Sequence, residues 1–425
     1  MTRNNSMKLL ITMILTVLSG IQTIDGQMQK TLDDIRSRYG LMGLSVVRVS
    51  KGEITGIYHS GLRDLERNLP VTDSTKFRIA SISKLITTTA LMKLHDRGLF
   101  KLDDDVSEYL GFKLRNPAHP EVPITFRMIL SHTGSINDGS GYDGFLTATY
   151  NNVGNPPGFS QLLVPGGTFY TEDMWRKEAP GSYFTYCNAN FGLAGTLIEK
   201  ISRERFDRFI EENLFRPMGI TGSFTVEGVR DINNLSVLYR NEDGRWAPQA
   251  DNFMGVMSSP RDFSGYITGT NAAVFSPQGG LRISAAELAR IMMLHLNDGR
   301  YDGKKIISKK SIRLMRTPQW TWNGSNGDDY HGQFRCWGLS VHITTNAPSC
   351  DIVWNDRIMA GHGGDAYGLI SDFYFDPASK SGFIFITNGI FNKLTTGANS
   401  SFYDFEEAVF SAIRESIADE SKIDQ

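Results

Sequence analysis

The sequence of 425 residues contains only three cysteines and no pattern typical of a metal site. Cys187, Cys336 and Cys350 are too few to form a disulfide scaffold. No CxxC, HExxH or Cys/His cluster occurs, so nothing supports a structural zinc site. Neither sign of charge is in excess, because 44 basic and 46 acidic residues give a net charge of −2. A general basic surface for nucleic acid is therefore excluded.

The apolar run at the N-terminus is too short for a comfortable membrane span. Residues 9–18 (LLITMILTVL) carry no charge and follow Arg3 and Lys8. This arrangement is typical of a secretory signal peptide, which we place at 1–26; the alternative is a buried helix. We therefore expect an exported protein, periplasmic or secreted, that has no integral membrane segment after cleavage. Export would allow a disulfide between Cys336 and Cys350, which the sequence does not establish.

Aromatic residues are abundant, with 6 Trp, 15 Tyr and 25 Phe, so most of the chain folds around a core. Strand-like runs occur near both ends of the chain, with helical patterns between them. The order predicts an α+β fold in which one antiparallel sheet, flanked by helices, is interrupted by a mostly helical insert. We place the domain at 27–425, with its sheet part at about 27–95 and 265–425 and the insert at about 96–264.

Individual elements are predicted from periodicity and capping signals. Helical spacing is found at 28–38, 190–201, 204–214, 284–297 and towards the C-terminus. Ser284 and Glu287 have the spacing of a capping box. The strand predictions are a hairpin turning at 50–52 and three runs at 336–343, 368–377 and 382–389. Residues 137–171 read as a long irregular insert rich in aromatics.

The first candidate for chemistry is Ser81-Ile82-Ser83-Lys84, at the start of a helix predicted to end at Gly98. Unsatisfied N–H groups at a helix start stabilise developing negative charge. One helical turn brings Lys84 beside the serine hydroxyl, and a desolvated lysine can activate that hydroxyl. The S-x-x-K pattern is loose, however, and Ser81 could simply cap the helix.

Two further motifs are weak as patterns and gain weight from their context. Tyr186-Cys187-Asn188 offers a phenol for proton transfer and an amide for orienting a carbonyl, although Y-x-N occurs twice elsewhere. His362-Gly363-Gly364 leads into a convincing strand, and its glycines permit close approach of a ligand to the backbone. H-x-G also occurs at His59 and at His132, outside such a strand. Trp320 and Trp322 are candidates for either a substrate groove or plain loop packing.

In this order the three motifs resemble the penicillin-recognising serine enzymes, and the closest branch is the class C β-lactamase-like hydrolases. That branch includes DD-peptidases, D-amino-acid amidases and esterases. The similarity extends over roughly residues 30 to 415. It is carried by FRIASISKLITTTALMKL, LDDDVSEYL, ITFRMILSHTG, FDRFIEENLFRPMGI, SPQGGLRISAAELARIMMLHL and MAGHGGDAYG.

The resemblance implies a role for each motif residue. Ser81 would be the acylated nucleophile, Lys84 its activating partner and Tyr186 the proton shuttle. Substrate would be held by Asn188 and by the strand motif, and the oxyanion hole would use two backbone N–H groups. The substrate-binding residues are Asn188, His362, Gly363 and Gly364, and the oxyanion-hole residues are Ser81 and Asp365.

One departure from the family pattern bears on substrate choice. The β-lactamases of the family carry Lys-Thr-Gly where this chain has His362-Gly363-Gly364. A neutral imidazole attracts a substrate carboxylate less than an ammonium does, and Gly363 removes a hydroxyl contact. The resemblance thus implies a serine hydrolase for esters or amides in which β-lactam hydrolysis is disfavoured.

Two alternatives remain at this point: a transacylase that moves the acyl group to an alcohol or amine, and a sensor or peptide-binding protein without turnover. The expected partner is a small-molecule or peptide-like substrate. No cofactor and no metal is implied, and the oligomeric state is open.

Overall fold

The computed structural model describes residues 24–423. Most of the predicted signal peptide lies outside these residues. Within them, no helix is long and apolar enough to cross a membrane. All three cysteines are free thiols, so the disulfide that export would allow is not formed.

A nine-stranded, wholly antiparallel sheet organises the molecule. The predicted α+β class is confirmed. In chain order the strands of this sheet and of three small ribbons are β1 (Gly43–Ser50), β2 (Glu53–Asp64), β3 (Leu69–Pro70), β4 (Phe77–Arg78), β5 (Leu238–Glu242), β6 (Arg245–Ala250), β7 (Arg282–Ile283), β8 (Arg300–Tyr301), β9 (Lys304–Lys305), β10 (Trp320–Thr321), β11 (Cys336–Trp337), β12 (His342–Ile343), β13 (Ala360–Ala366), β14 (Leu369–Asp376), β15 (Ser381–Thr387) and β16 (Gly389–Ile390). The large sheet has the order β10-β11-β12-β13-β14-β15-β1-β2-β3.

Helices cover both faces of the sheet, and most of them lie in the part of the chain between its N-terminal and its C-terminal strands. They are α1 (24–39), α2 (Ile82–Asp96), α3 (Ser107–Leu110), α4 (Phe126–Leu130), α5 (Gly141–Asn151), α6 (Ser160–Leu163), α7 (Ala189–Ser202), α8 (Phe206–Ile210), α9 (Ala285–Leu296), α10 (Lys309–Met315) and α11 (Asp404–Ile423). The predicted hairpin, the helix after Ser81 and the terminal helices are all present.

The alternation of side chains along the central strands divides the core into two parts. In β15, Ile384 and Ile386 face α2 and α9, whereas Phe383 and Phe385 face α1 and α11. Because successive residues of a strand point to opposite faces, this fully buried strand contributes side chains to both cores. The sheet is therefore buried on each side in its centre.

The prediction of an irregular segment over 137–171 is wrong, because the segment contains α5 and α6. In α5, Tyr142, Phe145 and Thr149 are buried at positions i, i+3 and i+7, which is helical spacing. Gly141 and Gly144 obscured that spacing in the sequence, since glycine disfavours helix interiors. Packing against neighbouring aromatic rings, such as Phe159 against Phe145, stabilises the helix nonetheless.

Residues at the start of α9 fix the position of β4, the short strand that leads to Ser81. Ser284 and Glu287 form the predicted capping box. The buried Glu287 carboxylate also accepts hydrogen bonds from the Thr221 backbone (2.8 Å) and hydroxyl (2.7 Å), and it pairs with Lys76. Lys76 directly precedes β4, which pairs with β7 just before the capping box. Glu287 thus ties three segments together beneath the candidate site.

We expect Glu287→Ala to lower the free energy of unfolding by about 3 kcal/mol, because a buried ion pair loses one partner and the capping box is lost. Denaturant unfolding at neutral pH measures this change, with Glu121→Ala at an exposed loop position as the control. Lys76 and the hydrogen bonds outweigh burial and lower the pKa of Glu287. The carboxylate therefore stabilises the fold above its unfolded-state pKa, and the contribution is lost as pH falls through the lower folded-state pKa. A difference of under 0.5 kcal/mol at neutral pH would contradict this role.

Candidate active site

Ser81 lies at a tight turn between β4 and α2. Ala80 adopts a φ of +47°, a region that residues with a side chain rarely occupy, and Ser81 is the first residue after it. Ile79 on this turn donates its N–H to the Leu281 carbonyl (2.9 Å) and accepts from the Ser371 hydroxyl (3.1 Å). The Ser81 side chain makes no capping bond. The alternative that Ser81 only caps the helix is therefore not supported by its geometry.

Lys84 lies one turn further along α2 and is completely buried. Its Nζ donates to Ser81 Oγ (2.9 Å) and to the Gln278 carbonyl (2.8 Å). Burial lowers the pKa of Lys84 to about 7, and the negative charge of Asp138 opposes this shift only in part. A substantial fraction of this lysine is therefore neutral at physiological pH, as a base for the serine hydroxyl requires.

Tyr186 stands over the same pair. Lys84 Nζ lies 4.8 Å from the centre of its ring, and His132 stacks on it with ring centres 4.4 Å apart. Burial raises the pKa of the Tyr186 phenol far above its usual value, and a hydrogen bond with Ser81 only partly opposes this. Tyr186 is thus a protonated phenol that can give up a proton only as it receives one.

Asp138 holds the segment that carries Tyr186 and Asn188. Its carboxylate accepts from the backbone N–H groups of Asn188 (2.7 Å) and Ala189 (2.9 Å), at the start of α7, and from the Asn188 side-chain Nδ2 (2.9 Å). The Cys187 thiol donates to the same carboxylate (3.2 Å), which keeps its buried side chain out of the cleft. Because Asn188 turns its nitrogen to Asp138, its Oδ1 remains to accept an N–H from substrate.

His132 is a second residue that the motif analysis did not assign to the site. Its Nδ1 accepts the Cys187 backbone N–H (3.0 Å), and its buried ring supports Tyr186. Burial lowers the pKa of His132, followed by the charges of Lys84 and His362, so the ring is neutral. His132 matches the H-x-G pattern but was set aside because it lies outside a strand. Asp138 matches no catalytic pattern, and the Asn137-Asp138-Gly139 turn predicts a bend but no contact with α7.

Strand β13 carries the His362-Gly363-Gly364 motif and passes close to the nucleophile turn. A Cβ on Gly364 would lie 2.5 Å from Ser371 Oγ and 2.6 Å from the Ile79 carbonyl oxygen. Glycine is therefore required here, because any side chain would push the strand away from Ser81. A Cβ on Gly363 would meet nothing closer than Asp372 Oδ1 at 3.7 Å, so that position has room.

His362 is buried and neutral. Its Nδ1 donates to the Gly363 carbonyl (2.6 Å), which leaves a lone pair on Nε2. Burial and then the positive charge of Lys84 together lower the pKa of His362 to about 3. The imidazole therefore supplies no positive charge to a substrate near neutral pH.

One edge of β13 is open where the motif lies. Strand β12 pairs with β13 only at Ala360 and Gly361, so the following residues have no neighbouring strand on that side within the described chain. Asp365 lies in this open stretch and lines the same cleft as Ser81. The oxyanion hole assigned to the backbone N–H groups of Ser81 and Asp365 stays a prediction.

The cleft has a volume of about 1140 Å³ and brings together Ser81, Tyr186, Asn188 and the strand motif, with Lys84 beneath them. Residues of α5 line part of the cleft, and Tyr330 and Phe334 line another part. Trp320 and Trp322 do not line it. Trp320 is buried against Phe184, and Trp322 stacks on Arg335, so both belong to loop packing. Within residues 24–423 no group of His, Cys, Asp and Glu side chains could hold a metal ion.

The chain is similar to known proteins of one family. The Beta-lactamase family model matches residues 22–396. Penicillin-binding protein 4 of Amycolatopsis lactamdurans is 26% identical over 297 residues, which cover 68% of each chain.

Two solved structures share the fold. The octameric penicillin-binding protein homologue from Pyrococcus abyssi superposes with a TM-score of 0.65 at 23% identity, covering 86% of this chain and 73% of its own. The D-amino acid amidase from Ochrobactrum anthropi SV3, in complex with D-phenylalanine, gives a TM-score of 0.60 at 19% identity, covering 94% and 98%. With the family model spanning most of the sequence, the chain belongs to the Beta-lactamase family and is a serine hydrolase of the β-lactamase and penicillin-binding type.

Proposed function

We propose that this protein is an exported hydrolase that cleaves an ester or amide through an acyl-enzyme on Ser81. The observation that carries the proposal is the completely buried Lys84 Nζ, 2.9 Å from Ser81 Oγ. A buried lysine whose pKa is close to 7 is poised to accept the serine proton. Export is proposed from the apolar run at 9–18.

The proposed reaction has two halves. Neutral Lys84 accepts the Ser81 proton while Oγ attacks the substrate carbonyl, and the backbone N–H groups of Ser81 and Asp365 stabilise the oxyanion. Tyr186 donates its proton to the leaving oxygen or nitrogen as that bond breaks and is reprotonated from Lys84. Water then attacks the acyl-enzyme by the reverse transfers, which frees the acid and restores Ser81.

The substrate is proposed to be an uncharged or peptide-like ester or amide with an apolar acyl group. Tyr142 and Leu146 of α5 supply an apolar wall, and Asn188 Oδ1 is free to accept an amide N–H. The D-amino acid amidase among the structural neighbours acts on an amide bond, which is consistent with this class. A neutral His362 disfavours substrates that depend on a carboxylate.

The assignment of Ser81 is tested with a fluorophosphonate probe and intact-mass analysis. We expect a single adduct on the wild-type protein and none on Ser81→Ala, because only an activated serine reacts with such a probe. Ser83→Ala changes the other serine of the motif and serves as the control that keeps the adduct. An adduct of undiminished yield on Ser81→Ala would refute the assignment. Steady-state turnover of a simple ester, instead of a stoichiometric burst, distinguishes a hydrolase from an acylated sensor.

The role of Lys84 is tested by its pH profile and by Lys84→Arg. Since the neutral lysine is the active form, kcat/KM of the wild type is expected to rise as pH increases through about 7 and to level off above it. Arginine keeps the charge and does not titrate in this range, so Lys84→Arg should lose at least about a hundredfold in rate with the fold intact. Lys93→Arg, on the same helix and outside the cleft, is the matched control. Near-normal activity of Lys84→Arg would mean that Lys84 acts only as a fixed charge.

Substrate preference is tested by comparing kcat/KM for nitrocefin and for a p-nitrophenyl ester with an apolar acyl group. The ester should be the better substrate, because His362 and Gly363 hold the nitrocefin carboxylate poorly. The double variant His362→Lys with Gly363→Thr should shift the ratio towards nitrocefin, and the open space at Gly363 accommodates the new side chain. A wild-type protein that prefers nitrocefin would contradict this proposal and favour a β-lactamase.

A further inference from the structure

Two buried carboxyl groups line the cleft beyond Gly363. Asp372 stands opposite Gly363 in the β13–β14 pairing, and Glu406 lies in the first turns of α11. Both line the same cleft as Ser81, although the side chains are only 1% and 5% exposed. The motif analysis assigned neither of them, since one belongs to an apolar strand and the other to an amphipathic helix.

The pair lacks the partners that buried acids normally have. Apart from a hydrogen bond with the Glu406 carboxyl, the Asp372 carboxyl has no hydrogen-bond partner in the described residues, and neither acid forms an ion pair there. Glu406 accepts one backbone N–H, from Tyr403 (2.7 Å). Buried carboxylates are normally paired with a cation or fully hydrogen-bonded, because desolvation of an unpaired charge is costly.

The two acids act mainly on each other. Burial raises the pKa of Asp372, and Glu406 adds to that shift; burial raises the pKa of Glu406 to about 7. Two adjacent carboxyls resist being ionised together, so the pair holds a proton more firmly than a free acid does, and a nearby cation would favour its release. The two arginines that line the cleft interact with groups other than this pair. Arg78 contacts the Tyr367 ring and donates to the Gly279 carbonyl. The charge of Arg240 opposes the rise in the pKa of Asp365 that burial causes.

The absent side chain of Gly363 leaves the motif strand open towards this pair, although the Asp372 oxygens are themselves shielded from solvent. A Cβ at that position would already be in van der Waals contact with Asp372 Oδ1, at 3.7 Å, and the next nearest atoms are 3.9 Å away. Gly363 is two residues from Asp365, about 7 Å along the strand. A substituent a few bonds away from the reacting carbonyl can therefore reach the acids.

We propose that Asp372 and Glu406 form a subsite for a protonated amine on the substrate, so that a cationic substituent at this position is preferred over a neutral one and a carboxylate is rejected. An ammonium has three donors, which matches a pair of carboxyls that lacks any cation partner in the described residues. The proposal rests on the proposed function of the same cleft, and it specifies in addition that the preferred substrate carries a positive charge.

The test uses three aryl esters of one apolar acyl group that differ only in the meta substituent of the phenol: aminomethyl, ethyl or carboxylate. Each kcat/KM is divided by the rate constant for alkaline hydrolysis of the same ester, which removes differences in leaving-group reactivity. For the wild-type protein we expect the aminomethyl ester to exceed the ethyl ester by at least about tenfold, as hydrogen bonds to charged groups allow. The carboxylate ester should be the poorest. Equal values, or a preference for the carboxylate, would overturn the subsite.

Variants of the two acids test whether they cause the preference for the aminomethyl ester. The ratio of aminomethyl to ethyl ester should fall to within about threefold of unity in Asp372→Asn with Glu406→Gln, whose side chains keep their size. Asp143→Asn, an exposed acid on the α5 wall of the same cleft, should keep the wild-type ratio. A ratio that survives in the double variant, or that falls equally in Asp143→Asn, would show that the preference arises from the general field of the cleft.

A binding measurement separates this proposal from the proposed function. Calorimetry on the unreactive Ser81→Ala protein compares 3-(aminomethyl)phenol, 3-ethylphenol and 3-hydroxybenzoate. Tighter binding of the amine supports the subsite even if no ester is turned over. No preference for the amine refutes the subsite while leaving the acyl-enzyme assignment intact.

Discussion

The exclusion of water from the Lys84 ammonium is the condition on which the active site depends. In water a lysine stays protonated near neutral pH, whereas burial lowers the pKa of Lys84 to about 7. The burial results from the apolar packing of α2 against the sheet and α7, and the Gln278 carbonyl and Ser81 hydroxyl are the only polar groups to which Nζ donates in the described residues. The packing of the core thus sets the pKa of the catalytic lysine.

A second constraint is the close approach of β13 to the turn before Ser81. Gly364 permits it, since only a residue without Cβ fits against the Ile79 carbonyl and Ser371. The turn on the other side of this contact, where Ala80 has its left-handed conformation, is held through Ile79, which donates its N–H to the Leu281 carbonyl and accepts from the Ser371 hydroxyl. The strand and the nucleophile therefore keep a fixed separation, which a transition state held between them requires.

Local patterns predicted those parts of the site that depend on spacing along one element. Ser81 and Lys84 are one helical turn apart, and the glycines of β13 precede an obvious strand, so both could be recognised from the sequence. Asp138 and His132 could not, because each acts on residues about fifty positions away along the chain. The carboxyls of Asp372 and Glu406 were hidden for a similar reason, as their contact exists only once α11 packs on the sheet. The helix α5 was missed because its two glycines masked a helical spacing of buried aromatics.

The short strand β12 has a further consequence. By leaving most of β13 unpaired at its edge, it provides backbone donors and acceptors to which an extended chain could add as one more strand. An exposed edge of this kind normally invites a neighbouring sheet, but here it lies in the cleft that Ser81, α5 and Tyr330 also line. A chain that added to this edge would therefore lie beside the nucleophile, so the pairing that usually joins two sheets would serve here to present a peptide-like backbone to Ser81.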